Sequence, residues 1–269
     1  MRVTVLGSGA WEGIPAPFCH CQICVLATQH PGSKNNRTRP QLLVENGDAR
    51  FLVEISPDIR LQSTRFQLLP IKDFLITHWH FDHMYGIHEL MQYSKDTVKG
   101  LHIYCSKGTK AVLEDEEFAY VPATLHEVNS LRPFELAGIT VTPLPVYHMR
   151  TQDESIAENQ LANTFGYLFE HGGKRVAYLA DYYRVPQLVV EAIRGCDAVL
   201  CEGTYLLTDD YKSSKLNHMH GQDITQFAES IEAKQVYYLS ISHLTHKTHE
   251  ALESLLPAGH KLTYDGLVI

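Results

Sequence analysis

Residues 78–83, inside the stretch LITHWHFDHMYG, place His78, His80, Asp82 and His83 in six consecutive positions. Imidazole and carboxylate are the donors that divalent zinc, manganese or iron accept. His78 and His80 are two apart, so in an extended segment they project to the same side. Asp82 and His83 fall where the chain turns towards a helix, and Asp82 also reads as the N-cap of that helix. Two ions need more donors than this cluster holds. His148, Asp181 and His243 each close a separate β-type run and are the natural additions. A carboxylate such as Asp181 is suited to bridging, because its two oxygens can each face a different cation.

A second dense motif, CHCQIC, brings Cys19, Cys21 and Cys24 together, while Cys105, Cys196 and Cys201 lie singly in or beside apolar runs and read as buried thiols. In a reducing compartment a tight cysteine cluster argues for a metal rather than a disulfide, with a redox-active or unliganded cluster as the alternative. Three thiolates leave one place on a tetrahedral structural zinc. His20 is crowded by its own neighbours. His246, three residues beyond His243 in SHLTHKTHE, is the expected fourth ligand.

The elements that must position these groups are short β-type runs with helical patterns between them. The runs DFLIT, TVTPLPVY, RVAYLA, AVLC and VYYLSIS end at or next to His78, His148, Asp181, Glu202 and His243. Strand ends in an α/β domain present side chains rigidly into a shared cleft. Helical spacing is legible in DHMYGIHELMQY, VPQLVVEAIRG, QDITQFAESIEAK and THEALESLL. The strand-rich first half and the later alternation imply an α/β class of sheets covered by helices. We read residues 1–269 as a single domain, with a zinc-binding cysteine loop at about 15–40.

Composition narrows the function. With 23 Lys and Arg against 31 Asp and Glu, the net charge of −8 lacks the basic balance that long nucleic acid demands. The densest basic segment, SKNNRTRP, reads as a solvated loop able to offer a phosphate contact or two. No apolar run approaches the roughly 18 residues of a membrane span, and the N-terminus does not read as a signal peptide, so a cytoplasmic location is expected.

THWHFDHMYG resembles the T-H-x-H-x-D-H-x-x-G signature of the metallo-β-lactamase-fold hydrolases. The resemblance implies a four-layer αββα sandwich with two metal ions at one edge. It assigns His78, His80 and His148 to one ion and Asp82, His83 and His243 to the other, bridged by Asp181. Two dications, two aspartates and a bridging hydroxide sum to about +1, matched to a phosphodiester anion, and a metal lowers the pKa of bound water from 15.7 to roughly 7. Asp82 and His218 are the implied catalytic residues. His218, in LNHMHGQDI, would serve the leaving group because this segment is similar to the family's HMxxxD stretch. His220 is the local alternative, and a helix-capping loop histidine is the plain one.

The cysteine loop, ISHLTH and the closing LPAGHKLTYDGLVI together resemble the phosphoribosyl cyclic-phosphate phosphodiesterases of the carbon–phosphorus lyase pathway. That branch implies zinc at the cysteines, manganese or zinc at the working site, and a small cyclic phosphodiester or 2′,3′-cyclic nucleotide as substrate. A thioester or carboxylic-ester hydrolase is the alternative within the fold. A non-catalytic protein akin to the pyrroloquinoline quinone branch is the alternative outside catalysis. Residues 149–163 read as an insertion beside the cleft, a lid or a homodimer contact.

Overall fold

Two-residue periodicity explains both sheets. In β1 (Arg2–Gly7), Val3 and Val5 face one side and Leu6 the other; in β2 (Gln41–Asn46), Leu42 and Val44 oppose Leu43; in β3 (Ala49–Val53), Phe51 and Val53 oppose Leu52. Runs such as QLLV are apolar throughout because both faces are covered. The first sheet continues through β4 (Asp73–Leu75), β5 (Leu101–Cys105) and β6 (Ala123–Glu127) in that spatial order. Its first three strands are antiparallel and the rest parallel. This computed structural model describes residues 1–97, 99–115, 117–148, 154–208 and 217–269, except the side chains of residues 154, 156 and 157.

The second sheet comprises β7 (Phe134–Leu136), β8 (Ile139–Pro145), β9 (Phe165–His171), β10 (Lys174–Tyr178) and β11 (Ala198–Glu202). A short parallel pair, β12 (Tyr205–Leu206) and β13 (His220–Gly221), stands apart, and β14 (Val236–Leu239) and β15 (His260–Leu262) complete the sheet in the order β15-β14-β11-β10-β9-β8-β7. Strands β10, β11, β14 and β15 are mutually parallel. Phe51 and Phe169 from opposite sheets meet in the central core at 5.9 Å between ring centroids.

The helices are α1 (Gln22–Gln29), α2 (Ile59–Arg65), α3 (Phe81–Met84), α4 (Lys107–Leu113), α5 (Glu154–Asn163), α6 (Gln187–Ile193), α7 (Gln222–Ser230) and α8 (His249–Glu253). Ile59 of α2 and Leu113 of α4 cover the outer face of the first sheet. Val189 of α6, Ile224 of α7 and Leu252 of α8 cover the second. The layers are therefore helix, sheet, sheet, helix, the sandwich of the metallo-β-lactamase fold. Among the described residues, no helix is long and apolar enough to cross a membrane.

Two expectations change. DHMYGIHELMQY is not one helix: α3 has four residues, and a 3₁₀ turn follows over Tyr85–Leu90. Ile55 N–H bonds the His83 carbonyl (2.8 Å) and Gly86 N–H bonds the Ile55 carbonyl (2.9 Å), so backbone groups join the segment after β3 instead of propagating a helix. Gly86 permits this approach, since a Cβ there would stand 2.0 Å from the Ser56 carbonyl oxygen. The basic segment is not a solvated loop either. Arg37 is buried and donates to Ser8 Oγ (2.9 Å) and His249 Nδ1 (2.9 Å), while Arg39 pairs with Asp58 at 2.7 Å.

Candidate metal centre

The strand ends gather the predicted groups at one edge of the sandwich. His78 and His80 follow β4, His148 follows β8, and Asp181 follows β10. Their donor atoms lie within 4.8 Å of one another. Asp82, His83 and Asp181 form an adjoining group, and Asp181, Glu202 and His218 a third. Asp181 is common to all three.

Hydrogen bonds fix which ring nitrogen faces inward. Thr77 Oγ1 donates to Glu54 Oε1 (2.7 Å) and so accepts from His78 Nδ1 (2.9 Å). His148 Nδ1 donates to the Asn217 carbonyl (3.0 Å), and its backbone N–H to Gln160 Oε1 (2.9 Å). Both rings therefore present an Nε2 lone pair. His148 Nε2 faces His80 Nδ1 at 3.0 Å and Asp181 Oδ2 at 3.8 Å. His78 Nε2 is fully buried, 4.0 Å from Asp181 Oδ2, with no hydrogen-bond partner. A buried lone pair without a donor is costly, and a cation between these groups satisfies it. The donor set, three imidazoles and a carboxylate backed by oriented hydrogen bonds, suits zinc or manganese.

The electrostatics divide the site. Burial pushes His78 well below the usual imidazole range, reinforced by neighbouring imidazoles, and burial takes His148 down to about 3. Both are neutral and free to coordinate. Burial also opposes the charged form of His83, but in the absence of a cation Asp82, Glu54 and Asp181 outweigh it and raise its pKa well above the ordinary value, a role that a cation held by the same carboxylates would take over from the proton. Its Nδ1 stands 3.1 Å from Glu54 and its Nε2 3.2 Å from Asp82 and 3.4 Å from Asp181. Burial would likewise raise Asp181, yet His83, His218 and His148 hold it well below the carboxylate range. His218 Nδ1 contacts Glu202 Oε1. Burial disfavours its charged form, but Glu202 lifts it to about 9, while burial pushes Glu202 up to about 7.

The closing turn departs from expectation. His243 does not join Asp82 and His83: its Nδ1 lies 3.4 Å from Cys19 Sγ and 3.6 Å from Cys21 Sγ, in one group with Cys24. His246, expected as the fourth ligand, is exposed and adopts a left-handed backbone (φ 52°) at the end of the 3₁₀ turn His243–Thr245. The cause is the docking of the N-terminal loop on the end of β14. Ile241 N–H bonds the Ser8 carbonyl (3.0 Å) and Ala10 N–H the Ile241 carbonyl (3.2 Å), carrying Cys19–Cys24 over the first residue of that turn. Cys24 is buried, and its Sγ accepts from Ala16 N–H (3.3 Å). A three-sulfur, one-nitrogen set fits a closed structural zinc site.

Two acidic groups take roles that the sequence did not assign. Glu54, at the end of β3, orients both Thr77 and His83. Glu202 was visible at a strand end but carried no role until folding brought it against His218. Each is an acid closing an apolar strand, the available signal. Of the insertion, residues 149–153 lie outside the described residues. The rest forms α5, whose Asn163 Oδ1 accepts from Gly108 N–H (2.6 Å) while Gln160 holds the His148 backbone.

Fold and site define a metal-binding hydrolase scaffold, and the chain belongs to the beta-lactamase superfamily, whose domain matches residues 49–241. Among individual proteins, Coenzyme PQQ synthesis protein B of Methylobacterium radiotolerans is 32% identical over 234 residues, 78% of this chain and 75% of that protein. Octanoyltransferase of Porphyromonas gingivalis is 27% identical over 99% of this chain but only 51% of its own length, so the chain spans about half of it. In three dimensions the chain is similar to a diphosphatase from the PhnP family (TM-score 0.82, 27% identity, 100% of this chain and 96% of that one). It is equally similar to zinc-bound PqqB from Methylobacterium extorquens (TM-score 0.82, 25% identity, 100% and 99% covered).

Proposed function

We propose that the protein is a metal-dependent phosphodiesterase acting on a small, cyclic phosphodiester. The observation that carries this reading is Asp181: one carboxylate shared by the His78–His80–His148 group and the Asp82–His83 group makes two adjoining cation positions. When bound, manganese or zinc ions there would supply charge stabilisation for the phosphate oxygens and a nucleophile at neutral pH.

The chain's own residues do the rest. Thr77 and Asn217 hold His78 and His148 in the tautomer that directs Nε2 inward. Asp82 and Asp181 draw the two positions together. His218, held protonated by Glu202 at the border of the cavity, donates its proton to the departing alkoxide, and Glu202 stabilises the imidazolium before transfer. Cys19, Cys21, Cys24 and His243 would hold a structural zinc, which would fix the loop leading past the cleft. The substrate is a small molecule rather than long nucleic acid, in keeping with the acidic net charge.

The likeness to Coenzyme PQQ synthesis protein B keeps a second reading in play, a role in cofactor synthesis, within which a binding protein that keeps the donors without turnover is the non-catalytic form. The octanoyltransferase likeness favours a third, acyl or thioester hydrolysis. One panel separates them. Bis(p-nitrophenyl) phosphate, 2′,3′-cyclic nucleotides and acyl thioesters are assayed after loading with Mn²⁺ or Zn²⁺. Turnover confined to the phosphodiesters is expected; turnover of thioesters alone, or of nothing, overturns the proposal.

A further inference from the structure

One side of the cavity wall is aromatic and belongs to no proposed metal group. The cavity at the metal centre, about 270 Å³, is bordered on that side by Trp11 and Phe81. Their rings meet edge to face, with centroids 6.4 Å apart and planes at 78°. Both remain open to solvent, Trp11 at 54% and Phe81 at 41% exposure. Tyr85 extends the strip outward, its ring 6.5 Å from Phe81. The chain has two tryptophans, and the other, Trp79, is 46% exposed with its ring 5.0 Å from that of the metal-facing His80.

Large aromatic rings are the side chains that burial stabilises most, and Trp is highly buried on average. Leaving Trp11 and Phe81 half-open at the wall of one cavity, while a large core exists, calls for an occupant. The position of Trp11 is also built. Gly9 N–H bonds the Thr38 carbonyl (2.8 Å) and Ala10 N–H the Ile241 carbonyl, so the loop presenting the ring is pinned at its base. Among the described residues lining the cavity there is no lysine or arginine. Polar grip on the phosphate is therefore left to the cations and to His218, Asn217, Thr204 and Ser240, and the large apolar contact area on offer to whatever the phosphate carries is that of Trp11 and Phe81.

We infer that Trp11 and Phe81 form a stacking subsite for a planar heteroaromatic ring attached to the phosphodiester, so that the preferred substrates are nucleotide-like rather than bare sugar phosphates. A flat ring leaving the cavity has a face to offer Trp11 and an edge to offer Phe81. Stacking of this kind is tolerant of base identity, so the subsite selects for the presence of a ring more than for one base. The contact is equal in ground and transition states, so it acts through KM. This inference rests on the phosphodiesterase reading, and its test has an arm that does not.

The first arm compares adenosine 2′,3′-cyclic phosphate with the ring-free methyl riboside 2,3-cyclic phosphate in wild type, Trp11→Ala and Trp11→Phe. Wild type is expected to favour the ring-bearing ester. Trp11→Ala reduces that preference about tenfold through KM, Trp11→Phe restores most of it, and metal content is the same in all three. A preference that Trp11→Ala leaves intact, or none in wild type, overturns the subsite. The second arm uses Trp79→Phe, in which Trp11 is the sole tryptophan. Saturable quenching of its fluorescence by adenosine 2′-monophosphate, and none by ribose 5-phosphate, is expected. Turnover of neither ester with quenching intact defeats the phosphodiesterase reading alone. Absence of quenching defeats the subsite.

Discussion

Glu54 is the residue whose environment says most about how the site is held. It is fully buried at the end of β3, has a left-handed backbone (φ 72°), and accepts from Thr77 while facing His83. A non-glycine residue in that conformation is uncommon and costs energy, and here it aims one carboxylate at the supports of both cation positions. Glu54→Gln is expected to lower kcat/KM by about 10–100-fold with the circular dichroism spectrum unchanged, the range typical of outer partners of metal ligands. Asp181→Ala removes the carboxylate common to all three donor groups. Its expected outcome is loss of measurable turnover and of active-site metal, read by metal analysis, while the zinc at the cysteines stays. Equal loss of both metals would mean that the two sites are not independent. For His218, a glutamine keeps volume and removes the proton, and a fall in kcat on the order of 10²-fold with a smaller change in KM is expected.

Elements rather than residues decide the cysteine site. The loop after β1 lies along the end of β14, and that contact delivers Cys19, Cys21 and Cys24 to His243 rather than to His246. Structural zinc contributes directly to folding, so the two histidines give opposite expectations. His243→Ala should lose about one zinc per chain and lower the melting temperature by several degrees. His246→Ala, an exposed position, should leave both close to wild type. The reverse pattern, read by metal analysis and thermal melts, would refute the placement of the turn. Cys21→Ser should follow His243→Ala. Helix α5 works in the same way at the candidate metal centre: Gln160 accepts from the His148 backbone N–H, so this part of the insertion fixes a candidate metal ligand.

Across the whole molecule, the two chain ends are clasped by a buried polar network. Asp265 accepts from Ser8 and Thr38, and Arg37 donates to Ser8 and to His249 Nδ1. Accepting at Nδ1 requires a neutral His249 ring. Burial first, then the charges of Arg37 and Lys34, lower its pKa from 6.5 to about 4. Between those values the unfolded chain binds a proton that the folded chain refuses, so stability rises with pH across the window. Acidifying from pH 7 to 4 should cost on the order of 3 kcal/mol from this group. His249→Asn, which keeps an acceptor but cannot titrate, should flatten that slope in urea midpoints taken at pH 7 and 4.5. An identical slope in the variant would remove His249 as its source. The short-range pattern determined much of this protein. THWHFDHMYG names the cluster, because metal donors two and four residues apart need only a local turn to converge, and apolar runs ending in His, Asp or Glu mark the strands that carry the rest. Tertiary structure alone decided which of His243 and His246 meets the cysteines, that Arg37 is buried, that Glu54 and Glu202 orient histidines, and that Trp11 joins Phe81 at the cleft. Each of those depends on segments distant in the chain being brought side by side, and spacing in sequence carries no record of such distances.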